Sequence, residues 1–278
     1  MKKIIIGLLI VLFLLGFVFY QNNIIEKTTI HYSSENVPEA FNGYKILHIS
    51  DLHNKSFGKD QIKLLEKIKE ESPDIIVITG DLVDRRKYNL EVALSFVKGA
   101  VKISPVYYVS GNHEAWSGEY EGIRNALVSL NVKVLDDQKI RINERNDFIE
   151  LIGLKDPDFH TSSYLEGNNT LVLENNLNSL SDADNFQVLL SHRPELMNLY
   201  AEEKINLILS GHAHGGQFRL PFIGGIIAPD QGLFPEYTSG TYVKDQSTLI
   251  VSRGLGNSII PIRIFNRPEI IILKIIRK

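Results

Sequence analysis

An unbroken apolar run lies near the beginning of the chain. Residues Ile4–Tyr20 form 17 consecutive apolar positions, and Lys2 and Lys3 precede them. This length is near the lower limit for a helix that spans a bilayer and exceeds the apolar core of a usual signal peptide. Bulky residues before Gln21 argue against a cleaved signal, so we expect an uncleaved single-pass anchor. The lysines favour a cytoplasmic N-terminus, which predicts that the remaining chain lies outside the cytoplasm.

After residue 40, short apolar runs alternate with amphipathic stretches. The runs have strand length, and the stretches have helical spacing, as in Gln61–Ile68. This alternation predicts βαβ units, a mostly parallel sheet and an α/β fold. The predicted strands and helices, in chain order, are Tyr44–Ile49, Gln61–Glu70, Ile75–Thr79, Leu90–Val101, Val106–Val109, Gly122–Leu130, Phe186–Leu190, Arg193–Ala201 and Ile205–Leu209.

The last third of the chain has apolar runs with no helical stretch between them. Thr248–Val251, Ile262–Phe265 and Ile270–Ile276 are predicted strands, and their succession predicts an antiparallel half of the fold. We therefore predict three segments: a membrane anchor at 1–22, a tether or first edge strand at 23–40, and one globular domain at 41–278.

Composition narrows the chemistry. The 278 residues include no Cys, so disulfides, thiolate catalysis and iron–sulfur clusters are excluded. Hydrophobic residues make up 44% and charged residues 23%, which is ordinary for a folded domain. The net charge is −3 and no block of Lys and Arg occurs, so we expect no nucleic-acid partner.

Five apolar runs end in the same way, with a small or turn-forming residue followed by side chains that can bind metal. Ligands bind beyond the carboxyl ends of strands in open α/β sheets, so we expect the five loops to converge on one crevice. Gly80, Gly111 and Gly211 each precede a candidate, where glycine permits positive φ or a close backbone approach. The candidate ligands are Asp51, His53, Asp81, Asn112, His192, His212 and His214.

The ligand types indicate which metals fit. A mixture of imidazole, carboxylate and amide oxygen suits manganese, iron, zinc or nickel better than calcium or magnesium. Seven such donors exceed what one ion takes, whereas two ions that share a bridging carboxylate would use all of them. A pair of divalent ions attracts a phosphoryl group and can activate water. By contrast, His48 lies inside a predicted strand and is expected to be a core residue, and His31 and His160 stand outside any motif.

Five motifs contain the candidate ligands: Asp51-x-His53, Gly80-Asp81-x-x-Asp84-Arg85, Gly111-Asn112-His113-Glu114, His192 and Gly211-His212-x-His214. They resemble the five-part signature of the calcineurin-like metallophosphoesterases, and the resemblance runs from about Lys45 to His214. The segment Ile46–His53 and the C-terminal pattern that begins at Gly254 are similar to a membrane-anchored or exported bacterial branch. That branch includes a cell-wall-associated phosphoesterase and enzymes acting on UDP-diacylglucosamine. The resemblance implies a four-layer α/β/β/α sandwich with a dinuclear site on one edge.

The resemblance also implies a role for each residue. His113 would face the scissile phosphate as general acid or transition-state stabiliser, and Asp84 would orient His113 or a ligand. Arg85 has two interpretations, a phosphate contact or a structural ion pair. The implied reaction is in-line attack of metal-activated hydroxide on phosphorus. Of two divalent ions (manganese, zinc or iron), the first would be held by Asp51, His53 and His214 and the second by Asn112, His192 and His212, with Asp81 bridging both.

The chain from Gln217 to Pro229 is unusually apolar, with Leu233 and Phe234 beyond it. One interpretation is a connecting strand and turn buried in the core. The other is an apolar wall beside the metals that dips toward the bilayer or binds an acyl chain. With the anchor, the second predicts a lipid-linked or cell-envelope substrate for cleavage of a phosphoester, phosphodiester or pyrophosphate bond. The alternatives are a non-catalytic, metal-stabilised envelope binding protein and a nuclease, which the lack of basic patches disfavours.

Overall fold

A computed structural model describes residues 2–160, 168–220, 222–257 and 261–278. The helices are α1 (Lys2–Asn23), α2 (Ile62–Glu71), α3 (Leu90–Ala100), α4 (Asn112–Ser117), α5 (Tyr120–Ser129), α6 (Asn168–Leu180) and α7 (Met197–Glu202). The strands are β1 (Glu26–Ser34), β2 (Lys45–Ile49), β3 (Ile75–Thr79), β4 (Val106–Val109), β5 (Lys133–Val134), β6 (Gln138–Glu144), β7 (Asp147–Gly153), β8 (Gln187–Leu190), β9 (Leu207–Ser210), β10 (Arg219–Leu220), β11 (Gly224–Gly225), β12 (Ile227–Ala228), β13 (Gly232–Leu233), β14 (Gly240–Lys244), β15 (Ser247–Val251) and β16 (Glu269–Arg277).

The first large sheet combines the N-terminal half of the chain with its last strand. Its order is β1-β16-β2-β3-β4-β5. β2 to β5 are parallel, as predicted, whereas β16 runs antiparallel to β2 and parallel to β1. Every residue of β3 is buried, which is typical of a parallel strand covered on both faces. The edge strand β1 lies within the segment 23–40.

The second large sheet has the order β14-β15-β9-β8-β7-β6. β7, β8, β9 and β15 are parallel, and only the two outermost pairs among its strands are antiparallel. The prediction of an antiparallel last third is therefore confirmed for the pairing of β15 with β14 and wrong for its pairing with β9. A parallel crossover needs a connection of a dozen residues or more, usually a helix. Here irregular chain with short hairpins makes the connection from β9 to β14 and so removes the helical signal.

Alternation along the strands explains how the layers pack. In β3, Ile75 and Val77 face the second sheet, whereas Ile76 and Ile78 face the helices. One apolar cluster fills the space between the sheets, a second lies under α2, α3 and α5, and a third lies under α6 and α7. This arrangement confirms the four-layer α/β/β/α sandwich.

Two other apolar segments have different outcomes. The predicted strand Ile270–Ile276 is confirmed as the buried β16. The predicted strand Ile262–Phe265 is wrong: within it Ile264 forms an isolated bridge to Phe218, and Phe265 packs against Phe17 of α1 instead of a sheet.

Helix α1 differs from the other helices because its apolar side chains are exposed. It has 22 residues, a mean hydropathy of 2.7 over its most apolar stretch, and little of that stretch is buried in the protein. Its buried residues are Gln21 and Asn22, at its C-terminal end. By length and composition the helix can cross a membrane.

Candidate metal centre

The loops after β2, β3, β4, β8 and β9 meet at one edge of the sandwich. The loop after β2 is tied to the loop after β3, because the Asp51 amide donates to Gly80 O at 3.1 Å and the His53 amide donates to Asp81 O at 3.0 Å. In the second sheet, the Gly211 amide donates to His192 O at 3.2 Å. Backbone hydrogen bonds therefore fix the candidate ligands relative to one another.

Four candidates form a first group. The Nε2 atoms of His53 and His214 are 3.1 Å apart. His53 Nε2 lies 3.3 Å from Asp81 Oδ2, and His214 Nε2 lies 3.4 Å from Asp51 Oδ1. All four side chains are buried. Their ligand atoms are close enough together to bind one ion.

A second group forms around the same aspartate. Asn112 Oδ1 lies 3.1 Å from His192 Nε2 and 3.0 Å from His212 Nδ1. His192 Nε2 is 3.3 Å from Asp81 Oδ2. The same oxygen of Asp81 is thus 3.3 Å from a histidine of each group. Imidazole, amide and carboxylate donors fit two divalent transition ions with a shared carboxylate.

The pKa values of the aspartates and histidines in the two groups indicate that the buried carboxylates need positive charge nearby. Burial opposes ionisation of Asp51 and Asp81, but neighbouring imidazoles, His214 for Asp51 and His192 for Asp81, hold both pKa values below the usual range. Burial also opposes protonation of His53 and His192, yet the hydrogen bonds and charges of the aspartates raise their pKa values to about 9 and about 10. The carboxylates are therefore ionised, and divalent ions can replace the protons that balance them.

Backbone conformation at the candidates is unusual. Asp51, His53, Asp81, His212 and His214 all have positive φ, between 46° and 64°. For residues other than glycine this conformation costs on the order of 1–3 kcal/mol each, and it persists only where the surroundings enforce it. Five of the seven candidate ligands have this conformation, which indicates that the loops are shaped to bring the ligand side chains together.

Glu114, to which the sequence analysis gave no role, joins the loop after β3 to the loop after β4. Its buried carboxylate accepts from the backbone amides of Asp81 at 2.8 Å, Gly111 at 2.9 Å and Val83 at 3.1 Å. Burial and the charge of Asp81 raise the pKa of Glu114 to about 7. Its position inside the Gly111-Asn112-His113-Glu114 motif was the signal that could have identified it.

Comparison with known proteins decides the family. Residues 44–216 match the model of the family described as calcineurin-like phosphoesterase. The chain belongs to this family. It is 30% identical to an uncharacterized metallophosphoesterase, YkuE, of Bacillus subtilis, over 91% of this chain and 86% of the relative.

Two further relatives bear on membranes and lipids. The chain is 31% identical to a transmembrane protein with metallophosphoesterase domain of Bos taurus, over 87% of this chain and 55% of that protein. It is 27% identical to UDP-2,3-diacylglucosamine pyrophosphatase LpxG of Chlamydia trachomatis, over 91% and 90% of the two chains. Family membership confirms the resemblance and the enzyme class, a phosphoesterase whose clustered His and Asp residues can bind metal.

In this phosphoesterase, His113 lies beside the first group. Its ring centroid is 4.4 Å from that of His53, and its Nδ1 accepts from the Arg85 amide at 3.2 Å. This bond places the ring proton on Nε2. Burial lowers the pKa of His113 to about 4 despite the charge of Asp81, so the ring is neutral at pH 7.

Asp84 and Arg85 differ in their contacts. Asp84 bonds mainly to Arg86, at 3.1 and 3.2 Å, while its Oδ1 lies 3.6 Å from His113 Nδ1. The Arg85 guanidinium stacks 4.4 Å above the ring of Trp116. Among the ion pairs found in the described residues, none involves Arg85. The arginine therefore remains available to the cleft that it lines.

A second cluster, also unassigned by the sequence analysis, supports His212 from behind. His212 Nε2 lies 2.8 Å from Asp230 Oδ2. The fully buried Arg193 bonds to Asp156 at 2.7 and 2.9 Å, to Asp158 at 2.8 Å and to Asp230 at 2.5 Å. Asp230 thus fixes the ring of His212, which leaves Nδ1 directed at Asn112.

The ligand groups open into a cleft of about 240 Å³. Its lining includes Asp81, His113, Arg85, Trp116 and Pro229. A larger groove of about 720 Å³ lies between α2 and α3 and is lined by none of the candidate ligands. The smaller cleft is therefore the one that contains the candidate metal ligands.

The remaining histidines stay outside the site. His48 is fully buried in β2 and its Nε2 bonds to Thr79 Oγ1 at 2.8 Å, as expected of a core residue. Burial lowers its pKa to about 3, so it is neutral. His31 lies in β1 and His160 follows β7, and neither belongs to a ligand group among the described residues.

Proposed function

We propose that this phosphoesterase is a membrane-anchored, dinuclear hydrolase that cleaves a phosphoester, phosphodiester or pyrophosphate bond in a lipid-linked or cell-envelope substrate. The observation that carries the proposal is the position of Asp81 Oδ2, 3.3 Å from His53 and 3.3 Å from His192. A carboxylate oxygen shared by two ligand groups is what a two-metal site requires.

The metals in this proposal are two divalent ions, manganese, zinc or iron. Asp51, His53 and His214 would hold one and Asn112, His192 and His212 would hold the other, with Asp81 available to both. When bound, the ions supply Lewis-acid activation of water and neutralise phosphoryl charge. The chain's own contribution is to fix seven ligands in strained loops, so that little reorganisation accompanies the reaction.

His113 and Arg85 line the same cleft and would act on the substrate. Because the Arg85 amide occupies His113 Nδ1, the neutral ring presents Nε2–H as a donor to the developing charge on phosphate. Asp84 orients the ring indirectly: its carboxylate accepts from the Arg86 amide at 2.9 Å and so holds the turn that presents the Arg85 amide to His113 Nδ1. The stacking of Arg85 on Trp116 favours the phosphate contact over the ion pair. A bidentate guanidinium suits a phosphoryl oxygen pair.

Attachment of the enzyme to a membrane through α1 would favour substrates that are themselves at the membrane. Helix α1 is proposed to span the cell membrane once, with the sandwich on the extracytoplasmic side, because Lys2 and Lys3 precede the apolar run. A tethered active site meets substrates at the membrane surface. Similarity to a pyrophosphatase named for a diacylglucosamine substrate supports a lipid-linked phosphate.

The test uses the full chain and two variants of the site. Asp81→Asn and His113→Ala should each lower the rate of bis-p-nitrophenyl phosphate hydrolysis by at least about 100-fold. Loss of a residue that only orients a metal ligand costs up to about 100-fold, and both of these residues are proposed to act more directly. Asp81→Asn should also lose bound metal, whereas His113→Ala should keep it because His113 is not a ligand. Asp245→Asn, in an exposed turn, is the matched control.

Three results would contradict the proposal. Full activity in either variant would show that the site assignment is wrong. Metal binding without hydrolysis of any ester in the wild-type chain would favour an envelope binding protein. Salt-sensitive binding and cleavage of DNA would favour a nuclease.

A further inference from the structure

Exposed apolar side chains concentrate in two segments beyond the metal ligands. Ile223 is 60% exposed, Leu233 is 69% exposed and Phe234 is 71% exposed, while Phe222 is wholly exposed. More than half of the exposed large apolar side chains that the described chain holds after α1 lie in 220–234 or 262–265. Monomeric proteins rarely present such a concentration without a partner.

Backbone hydrogen bonds join these segments into one unit. Phe218 bridges Ile264, and the Arg219 amide donates to Ile264 O at 3.1 Å. The hairpin β12–β13 is attached in turn, because the Ile226 amide donates to Phe218 O at 3.0 Å and the Phe234 amide donates to Ile226 O at 2.8 Å. We call residues 218–220, 222–234 and 262–265 the apolar platform.

The 262–265 part of the apolar platform lies against α1. The rings of Phe17 and Phe265 meet edge to face, with centroids 5.5 Å apart. Asn22 clamps the same loop, since its Oδ1 accepts from the Arg263 amide at 2.9 Å and its Nδ2 donates to Arg263 O at 3.3 Å. Phe17 precedes Asn22 by five residues, or roughly 7 Å of helix. Phe265 therefore lies alongside the apolar run of α1 and not beyond the C-terminal end of the helix.

We infer that the apolar platform inserts into the lipid bilayer beside α1 and so holds the metal cleft at the headgroup level. The inference rests on the proposed role of α1 as an anchor, because a bilayer around Phe17 also surrounds Phe265. The occupant of the surface is lipid rather than a protein, since the platform continues the lipid-facing surface of a spanning helix. Arg267, which bonds to Tyr20 at 2.8 Å, marks the polar boundary.

The platform is also part of the catalytic edge. Pro229 lines the metal cleft, and Asp230 bonds to His212; both lie in the turn that joins β12 to β13. Leu233 and Phe234 follow within five residues. A phosphate carried by a membrane lipid can thus enter the cleft while its chains stay in the bilayer.

The absence of Cys from the chain permits a direct test. Single variants Ile223→Cys and Leu233→Cys, made in the full chain, are labelled with an environment-sensitive fluorophore and reconstituted in phosphatidylcholine–phosphatidylglycerol vesicles. Val128→Cys and Val243→Cys are matched controls, because both are exposed apolar residues (48% and 70%) outside the platform. Phe13→Cys, within α1, is the reference for lipid exposure.

Nitroxide-labelled lipids should quench the probes at 223 and 233 at least half as much as the probe at 13, and should leave 128 and 243 nearly unquenched. Quenching at 13 with none at 223 and 233 would overturn the platform inference and leave the anchor intact. No quenching at 13 would overturn the anchor and the inference with it. Hydrolysis of bis-p-nitrophenyl phosphate by the same labelled proteins tests the catalytic proposal separately.

Discussion

At the scale of single residues, the least expected feature is Asp230, which lies behind a ligand rather than in the cleft. His212 donates from Nε2 to Asp230, and Arg193 holds the same carboxylate in place. Such a partner fixes the tautomer of the histidine and raises its basicity toward a metal. We therefore propose Asp230 as a residue that positions His212.

Removing this carboxylate should weaken one metal site selectively. Asp230→Ala is expected to lower the affinity for Mn²⁺ by about 10–100-fold, whereas Asp230→Asn, which keeps an acceptor oxygen, should lose less. Calorimetric titration of the chelator-treated protein measures this, and Asp245→Ala in the β14–β15 turn is the control. Equal Mn²⁺ affinity in Asp230→Ala and the wild type would show that Asp230 is only structural.

The sequence could not identify Asp230 because no motif surrounds it. The ligands themselves follow buried strands, so their position in the fold could be predicted from apolar patterning. Asp230 lies in an irregular hairpin, and its partner Arg193 is 37 residues earlier in the chain. Only tertiary packing brings the two together.

At the scale of elements, close approach between the ligand loops limits what their glycines can become. A Cβ at Gly211 would collide with Ser50 Oγ and would come within 2.5 Å of Asp51 Oδ2. The backbone of the loop after β9 therefore lies directly against the side chains of Ser50 and Asp51 in the loop after β2. At Gly80 a Cβ would lie 2.7 Å from His192 Nδ1, and φ is +86°. Both reasons that the sequence suggested for glycine, positive φ and close approach, occur here.

Gly211→Ala should consequently disturb both stability and metal binding. We expect a loss of about 1–3 kcal/mol in the free energy of unfolding, typical of overpacking, because Asp51 must move. Gly122→Ala, on the open surface of α5, should instead stabilise the protein by about 0.5–1 kcal/mol. Urea unfolding in detergent compares the two, and an unchanged midpoint in Gly211→Ala would contradict the close packing.

Element prediction succeeded where local patterning determines structure. Ile75–Thr79 and Val106–Val109 were predicted with the bounds that β3 and β4 have, because buried parallel strands are continuously apolar. Ile262–Phe265 has three large apolar residues, but Arg263 interrupts them and the segment belongs to the platform beside α1. The parallel pairing of β1 with β16 joins Glu26 to Glu269, and no local pattern encodes so distant a partner.

At the scale of the whole molecule, the end of α1 and the loop before β16, which are far apart in the chain, meet beside the candidate metal centre. β16 lies between β1 and β2, and the loop before it supports the first ligand loop, since the Gly256 amide donates to Asp51 O at 2.6 Å. Arg263, buried in that loop, bonds to the backbone of Gly256 and Asn266. Asn22 of α1 contacts Arg263, so α1 and the candidate metal centre form one connected structure.

Because α1 is connected to the metal cleft in this way, the orientation of α1 in a membrane determines from which side a substrate can reach the cleft. If Lys2 and Lys3 hold the N-terminus in the cytoplasm, the cleft faces the extracytoplasmic leaflet. In intact spheroplasts, a membrane-impermeant maleimide should then label Val243→Cys at least tenfold more than a Cys inserted between Met1 and Lys2, which keeps both lysines, since position 243 is exposed on the sandwich. Lysis should make the inserted Cys equally reactive. The reverse pattern, with the inserted Cys labelled before lysis and position 243 only after it, would place the cleft in the cytoplasm and exclude envelope substrates.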